Sequence, residues 1–141
     1  MKALGLDLGD ASLGVAISDR EKKFARGLEN YKFSGNYPHA PLEKVLEYVH
    51  KEPIDVIVLG YPLNMNGSVG PQAQKSIDFK KLLEEKTNLK VILLDERLTS
   101  SLAKQTMVLS GKQKKKRQKS IDQTAAIIIL QNYLDRHIRS D

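Results

Sequence analysis

The sequence predicts an α/β fold in which a mixed β-sheet, with antiparallel hairpin strands followed by parallel strands, is flanked by helices. Two observations lead to this fold class. Short apolar segments follow one another closely at the start of the chain, and aliphatic runs alternate with amphipathic segments further along. We expect residues 1–141 to form one domain, because this length is typical of a single domain and no repeat or long linker divides the chain.

A β-hairpin is predicted at the start of the chain. Its strands are Ala3–Leu8 and Leu13–Ser18, and the residues between them, Gly9-Asp10-Ala11-Ser12, are of types that form turns. A third hairpin strand is expected around Phe24–Phe33, where the apolar pattern is less regular.

The later strands have the composition of buried parallel strands. Ile54–Leu59 and Val91–Leu94 are nearly unbroken aliphatic runs, which are typical of strands covered by helices on both faces. Such strands imply right-handed crossovers through helices, although the spacing alone also permits other mixed-sheet folds. The helices expected from apolar periodicity and capping residues are Pro41–His50, Pro71–Glu85, Thr99–Leu109 and Ile121–Ile138.

Composition narrows the class of protein. The chain has no cysteine, so a disulfide framework and a thiolate zinc site are both excluded. It shows neither a signal peptide nor an apolar run of the roughly 20 residues needed to cross a bilayer. We therefore expect a cytoplasmic protein without a membrane partner, either a monomer or a weak homodimer.

A formal net charge of +6 favours a polyanionic partner, because lysine and arginine that neutralise phosphates release condensed counterions. The charge is concentrated between residues 112 and 119. A solvated loop with incidental charge explains that run equally well. The basic residues expected to hold a nucleic-acid backbone are Lys114, Lys115, Lys116 and Arg117.

Asp7 is the first candidate for a chemical role. It lies in an apolar strand, where a carboxylate is costly to bury unless it is paired or bound to a metal. Strand alternation places Asp7 on one face with Gly5 and Gly9, and these small residues would allow a ligand or a second backbone to approach. The alternative is a strand-end aspartate that hydrogen-bonds a turn.

Two further acids, Asp95 and Glu96, follow the buried run Val91–Leu94 directly. Ligand sites of open α/β sheets gather beyond the carboxyl ends of parallel strands, so these acids are well placed for metal binding. If the strand continues that far, alternation separates them onto opposite faces, and we expect only one to face the site. Arg97 is expected either to contact a phosphate or to pair locally with Asp95.

Asp122 is expected in the first turn of the last helix, where an acid is also favoured by the helix dipole alone. Ala125 and Ala126 share its side of that helix, and their small side chains would let the helix lie close to the sheet. Three carboxylates from separate elements can hold Mg²⁺ or Mn²⁺, which prefer oxygen ligands and can support phosphodiester cleavage.

A long loop, Gly60–Pro71, follows another buried strand and leads into a helix. Its glycines, prolines and asparagines predict a shaped turn with exposed amide groups that could receive phosphate, although an ordinary strand-to-helix loop has similar composition. We expect Asn64, Asn66 and Gly67 to contact substrate.

Six sequence blocks resemble the YqgF/RuvX family of pre-16S rRNA nucleases and Holliday-junction-resolvase-like proteins. Together with a basic stretch ending at Lys119 they cover nearly the whole chain in the family's order. The blocks are LGLDLG (Leu4–Gly9), GVAISD (Gly14–Asp19), GYPLNMNG (Gly60–Gly67), LDERLT (Leu94–Thr99), IDQTAA (Ile121–Ala126) and LQNYLD (Leu130–Asp135).

The resemblance implies a ribonuclease H-like fold and a catalytic, metal-binding triad at Asp7, Glu96 and Asp122, with Mg²⁺ or Mn²⁺ as cofactor. It also implies maturation of the 5′ end of pre-16S rRNA, with branched DNA as an alternative nucleic-acid substrate. Asp10 departs from the family, which commonly has a hydroxyl residue there, and its carboxylate would either bind cation indirectly or repel phosphate.

Two other classes compete with a nuclease. A sugar kinase or actin-like ATPase also begins with an Asp-Leu-Gly hairpin, but it needs a second lobe that 141 residues cannot supply. A non-catalytic nucleic-acid-binding module would use the basic segment alone, and its acids would not need to bind divalent ions.

Overall fold

A mixed β-sheet is the centre of the structure, a computed structural model that describes residues 1–97 and 125–136. Within those residues the order across the sheet is β3-β2-β1-β4-β5. The pairs β1–β2 and β2–β3 are antiparallel, whereas β1–β4 and β4–β5 are parallel, which confirms the predicted fold class. The strands are β1 (Lys2–Leu8), β2 (Ser12–Ser18), β3 (Ala25–Lys32), β4 (Ile54–Tyr61) and β5 (Lys90–Asp95).

Helices lead into the parallel strands β4 and β5. Helix α1 is His39–Lys51 and helix α2 is Pro71–Thr87, so both predicted helices are confirmed. Helix α1 extends slightly beyond both expected ends, whereas α2 begins at the expected Pro71 and extends only at its end. Pro71 occupies the first turn of α2, where its missing N–H leaves no intrahelical bond unmade. A third helix, α3, covers residues 125–136 and belongs to the helix expected at Ile121–Ile138. The helix expected at Thr99–Leu109 lies outside the described residues.

The two faces of the sheet carry separate apolar clusters. On one face Leu4 and Leu6 of β1 pack with buried residues of α1 and α2, including Phe79. On the other face small side chains such as Ala3 and Ala16 pack against α3. Burial of these residues removes apolar surface from water and provides the main stabilisation of both layers. No helix in the described part of the chain is long and apolar enough to cross a membrane.

The parallel strands β1, β4 and β5 all end at the same edge of the sheet, which we term the carboxyl edge. Leu8, Tyr61 and Asp95 are the last residues of these strands. Helix α2 also begins near this edge. The side-chain amide of Gln72, in its first turn, donates to the carbonyl oxygen of Leu8 over 3.2 Å. Asp7, near the end of β1, and the acids Asp95 and Glu96, at the end of β5, therefore lie in the same region.

Candidate active site at the carboxyl edge

Asp7 lies near the end of β1, on the sheet face that α3 covers. Its cross-strand partner on β2 is Gly14, which has no side chain to fill the space beside the carboxylate. The register of β1 with β4 pairs Leu6 with Leu59, and one further step brings Asp7 beside Gly60. Asp7 is thus flanked by a glycine on each neighbouring strand, and its side chain is partly exposed.

Glu96 immediately follows β5 and is fixed by its backbone. Its N–H donates to the carbonyl oxygen of Tyr61 over 3.1 Å. Its side chain lies over Gly60, where an added Cβ would be 3.1 Å from Cδ of Glu96 and 2.7 Å from Cδ1 of Ile129. The absence of a side chain at Gly60 therefore creates the space that holds Glu96.

Glu96 and Asp7 lie close together, because both are next to Gly60. Burial of Glu96, then the negative charge of Asp7, and then that of Asp95 raise its pKa to about 7. At neutral pH a carboxyl group with this pKa is protonated in a large fraction of the molecules. Such a pKa is typical of an acid placed beside another acid in a site of low polarity. The structure thus brings together two of the three carboxylates that the sequence singled out.

Asp95 has a different environment. Its carboxylate pairs with Arg97, with 2.7 Å between Oδ2 of Asp95 and Nη2 of Arg97. The hydrogen bonds from Arg97 lower the pKa of Asp95, and the same contact raises the pKa of Arg97. The structure agrees with the expectation that only one of the two adjacent acids turns toward the site, and with the local pairing of Arg97 and Asp95.

The loop between β4 and α2 is a closed turn with its own hydrogen bonds. The backbone N–H of Asn64 donates to the carbonyl oxygen of Ser68 over 3.0 Å, and the N–H of Gly67 donates to that of Asn64 over 2.8 Å. Gly67 has φ of +86°, a conformation that favours glycine. The side chains of Asn64 and Asn66 both hydrogen-bond Ser68. Asn64, Asn66 and Gly67 are exposed, so they remain accessible to a ligand.

Arg97 joins this loop to β5. Its guanidinium donates to the carbonyl oxygen of Met65 over 3.4 Å while it holds Asp95. An added Cβ at Gly67 would be 3.4 Å from Nη1 of Arg97, so the loop passes close to the guanidinium. Arg97 therefore links the loop to Asp95, the last residue of β5, directly before Glu96.

Gly5 has a structural role in the close approach of α3. An added Cβ there would be 2.6 Å from Cβ of Leu130 and 3.2 Å from the carbonyl oxygen of Ala126. The glycines around Asp7 were expected to admit either a ligand or a second backbone. Gly5 admits the backbone of α3 and leaves no room for a ligand. Ala126 is fully buried, as expected for a small residue that lets the helix lie near the sheet.

Helix α3 starts toward the carboxyl edge and runs away from it. Ala126 packs over the middle of β1, whereas Gln131 accepts a hydrogen bond from the backbone N–H of Ala25, at the start of β3. Asp122 precedes the described start of this helix by three residues and lies outside the described residues. The predicted basic contacts Lys114, Lys115, Lys116 and Arg117 also lie outside them.

Asp10, the departure from the family pattern, forms an ion pair with Lys75 of α2, with 3.1 Å between Oδ1 and Nζ. Its side chain is 83% exposed. The negative charge that was expected to affect the site is thus partly balanced by a neighbouring lysine.

Sequence reasoning missed Gly14 and Gly60, which shape the site, and it placed Ile129 on the Asp122 side of the last helix without predicting its contact with Gly60. A glycine inside an aliphatic strand is a signal of close approach by another group, and Gly60 ends such a run. The apolar contact of Ile129 with this point of the sheet depends on the docking of α3, which has no local sequence signal.

Comparison with known proteins identifies close relatives. A family model described as "RuvX: Holliday junction resolvase" matches residues 1–136. Proteins named "Putative pre-16S rRNA nuclease" from Geobacillus sp. (strain WCH70) and Bacillus subtilis (strain 168) are each 44% identical over 135 residues, covering 96% of this chain and 98% of the relative.

A solved structure shares the fold. RuvC of T. thermophilus in complex with a Holliday junction substrate has a TM-score of 0.62 and 18% sequence identity to this chain. The match covers 99% of this chain and 97% of that one. The fold is therefore ribonuclease H-like, as the resemblance implied.

Proposed function

The chain belongs to the RuvX family of Holliday junction resolvases, and from this premise we propose that it is a metal-dependent nuclease that processes the 5′ end of pre-16S rRNA. As a member of this family it is a hydrolase that acts on phosphodiester bonds. The observation that carries the mechanism is the juxtaposition of Asp7 and Glu96 at the carboxyl edge, where a buried carboxyl group lies beside a second carboxylate.

A divalent cation fits this pair. Both donors are carboxylate oxygens, the ligands that Mg²⁺ and Mn²⁺ prefer. Burial and then the charge of Asp7 raise the pKa of Glu96, and a cation held by these residues would offset the repulsion between the two acids. Within residues 1–97 and 125–136 no group of three acids or histidines is assembled, and we propose Asp122 as the third ligand. When bound, the cation supplies an activated water and stabilises charge on the leaving oxygen.

The chain's own residues position this chemistry. The backbone of β1 fixes Asp7, and the hydrogen bond to Tyr61 fixes Glu96. Cδ1 of Ile129 and Cδ of Glu96 both lie over Gly60, so an apolar side chain of α3 is placed near the carboxyl group. Arg97 pairs with Asp95 and partly balances the negative charge that this residue places near Glu96.

Substrate contact would come from exposed groups around the carboxyl edge. The loop residues Asn64, Asn66 and Gly67 are exposed beside Arg97, and the segment Lys114–Arg117 supplies positive charge in the sequence. Phosphate contacts of this type position a nucleic-acid backbone without selecting its sequence. Processing of rRNA would place the protein in the cytoplasm, as a monomer or weak homodimer.

Two alternatives remain distinguishable by experiment. Branched DNA is favoured by the resolvase description of the family and by the Holliday junction bound to RuvC of T. thermophilus. A non-catalytic binding module is disfavoured by the acid pair, because a carboxyl group whose pKa is raised by burial and repulsion destabilises the fold at neutral pH. A module that only binds nucleic acid has no use for that arrangement.

The test is cleavage of labelled pre-16S rRNA fragments and of a four-way DNA junction with Mg²⁺ or Mn²⁺. Wild type is compared with Asp7→Asn, with an EDTA control and with Asp78→Asn, which removes an exposed acid of α2. We expect cutting of the rRNA fragment that Asp7→Asn abolishes and Asp78→Asn retains. Cutting that persists in Asp7→Asn would contradict the metal site, and cutting of the junction alone would identify DNA as the substrate.

A further inference from the structure

A pocket of about 390 Å³ lies at the opposite edge of the sheet from Asp7 and Glu96. It is formed where β1 begins, β2 ends and β3 begins, and we term it the opposite-edge pocket. Arg20, Phe24 and Arg26 contribute to its lining. None of these residues takes part in the candidate active site.

Phe24 is an exposed aromatic on a loop that is held in place. Its side chain is 71% exposed, although removal of a large apolar ring from water is favourable. Oδ1 of Asp19 accepts hydrogen bonds from the backbone N–H groups of Lys23 and Phe24, over 2.7 and 3.1 Å. The loop therefore presents Phe24 to solvent in a defined position.

Two contacts from outside the loop hold it further. Lys22 forms an ion pair with Asp55 at the start of β4, with 2.8 Å between Nζ and Oδ1. Gln131 of α3 accepts from the N–H of Ala25 over 2.8 Å and donates to the carbonyl oxygen of Lys23 over 2.9 Å. A loop fixed at both ends can bind a ligand with little further loss of conformational entropy.

The charge of the pocket suits an anion. Arg20 and Arg26 are exposed, and within the described residues neither guanidinium has an ion-pair partner. Lys2 also lines the pocket but is paired with Glu52 over 3.1 Å. Asp19 brings one negative charge, and the loop N–H groups that it accepts lower its pKa. The two arginines thus leave a net positive charge beside the aromatic ring.

We propose that the opposite-edge pocket binds one nucleotide unit, with its base stacked on Phe24 and its phosphate held by Arg20 and Arg26. An aromatic face next to guanidinium groups is the combination that binds single-stranded nucleic acid, because every base has a π-face and every unit carries a phosphate. The inference rests on the proposed function for the identity of its ligand, since it treats the pocket as a second contact for the nucleic-acid substrate.

The distance between the opposite-edge pocket and the acid pair determines how long a nucleic-acid strand must be to contact both. From Lys2 to Asp7 the strand β1 spans about 17 Å at 3.3–3.4 Å per residue. A stacked nucleic-acid strand advances about 3.4 Å per nucleotide, so roughly five nucleotides cover this distance. Because α3 covers β1 between the two sites, the single strand has to pass around this helix and must be longer than roughly five nucleotides to reach both.

The test is binding of a fluorescein-labelled single-stranded RNA of about 12 nucleotides, which exceeds the roughly five that span the two sites, in EDTA so that cleavage does not interfere. The variants are Phe24→Ala and the double variant Arg20→Gln/Arg26→Gln. We expect each to weaken binding about 5- to 10-fold, as loss of one stacked base or two phosphate contacts does. Phe24→Trp keeps an aromatic face and should bind the RNA as wild type does. Phe24→Leu has no aromatic face and should bind as weakly as Phe24→Ala.

The matched control is Lys81→Gln/Lys86→Gln, which removes two exposed charges from α2 and gives the same net charge as the arginine variant. We expect a change of less than about 2-fold, because charges distant from bound phosphates are screened by salt. Equal weakening by the two double variants would overturn the proposal in favour of a non-specific charge effect. Wild-type affinity in Phe24→Ala would also overturn it.

A second arm distinguishes the source of the nucleotide. Adenosine monophosphate is added as competitor to the labelled RNA. If adenosine monophosphate displaces the RNA only at concentrations far above the Kd of the RNA, the pocket binds a nucleotide unit of a longer strand. If it displaces the RNA at an equal concentration, the pocket is a site for free nucleotides, and the proposed strand contact is overturned. Cleavage at the carboxyl edge is not measured in either arm, so failure here leaves the proposed nuclease untouched, and absence of cleavage leaves the pocket untouched.

Discussion

The carboxyl group of Glu96 lies directly above Gly60, with only 3.1 Å between Cδ and the position that a Cβ on this glycine would occupy. Real Cβ atoms seldom approach another carbon so closely, and Cδ1 of Ile129 is closer still at 2.7 Å. Gly60 therefore determines two things at once: the position of a candidate metal ligand and the depth at which α3 packs.

Gly60→Ala is expected to displace both neighbours. The new methyl group would lower the free energy of unfolding by about 1–3 kcal/mol through overpacking. It would also move the Glu96 carboxylate and lower cleavage at least about 10-fold, because small displacements of a positioned group have large effects on rate. Urea unfolding and initial rates of cleavage measure the two effects separately.

The double variant Gly60→Ala/Ile129→Val separates these effects. Valine lacks the Cδ1 atom that the new methyl group would meet, so most of the lost stability should return. The contact with Glu96 remains, so cleavage should stay low. Recovery of cleavage together with stability would mean that the rate loss comes from packing of α3 and not from displacement of Glu96.

The raised pKa of Glu96 predicts how stability depends on pH in metal-free protein. Between its ordinary value of 4.5 and about 7, the folded chain keeps a proton that the unfolded chain has released. Stability is therefore fully present below the lower value and decreases as the pH rises through about 7. The contribution of this group is about 2 kcal/mol after allowance for partial exposure to solvent.

Glu96→Gln removes that titration. The variant should be more stable than wild type at pH 8, and the difference should vanish near pH 4, as measured by urea unfolding in EDTA. A pH profile unchanged by the substitution would show that another group is responsible for the slope.

Divalent cations should stabilise the folded chain through the same acids. At a concentration ten times the dissociation constant, Mg²⁺ or Mn²⁺ raises the free energy of unfolding by about 1.4 kcal/mol. Asp7→Asn should lose most of this gain, whereas Asp78→Asn should keep it. Thermal unfolding with and without the cation provides the measurement, and equal stabilisation of Asp7→Asn would place the cation elsewhere.

Arg97 and Asp95 should behave as one unit that supports the loop. Arg97→Gln and Asp95→Asn are each expected to raise KM for the nucleic acid about 3-fold, because both release the contact between β5 and the loop that contains Met65. The double variant should be no worse than either single variant. Additive effects would instead indicate that Arg97 contacts the substrate directly.

Most of the fold was predictable because its signals are local. Alternation and aliphatic runs located β1, β2, β4 and β5 to within one or two residues, and the apolar periodicity located α1 and α2. The third hairpin strand was less clear because β3 lies at the sheet edge and alternates poorly, with no fully buried residue.

The site was predictable only in part. Alternation would separate Asp95 from Glu96 only if β5 contained both, but β5 ends at Asp95. The different surroundings of the two acids come from the ion pair of Asp95 with Arg97 and from the hydrogen bond between the Glu96 N–H and Tyr61. The role of Gly5 was left open between a ligand and a second backbone, because that choice depends on where α3 docks. The importance of Gly60 arises from the register between β1 and β4, and long-range register has no marker in a single sequence.

Within the described residues, the helix that covers the site follows the five strands in the order of synthesis. A chain interrupted after residue 97 would already contain these strands together with Asp7 and Glu96, but Ala3, Ala16 and Val58 would lack the cover of α3. Such an incomplete chain would expose a continuous apolar face and tend to associate with other chains. Docking of residues 125–136 on the sheet thus covers this apolar face and places the side chain of Ile129 over Gly60 in the same step.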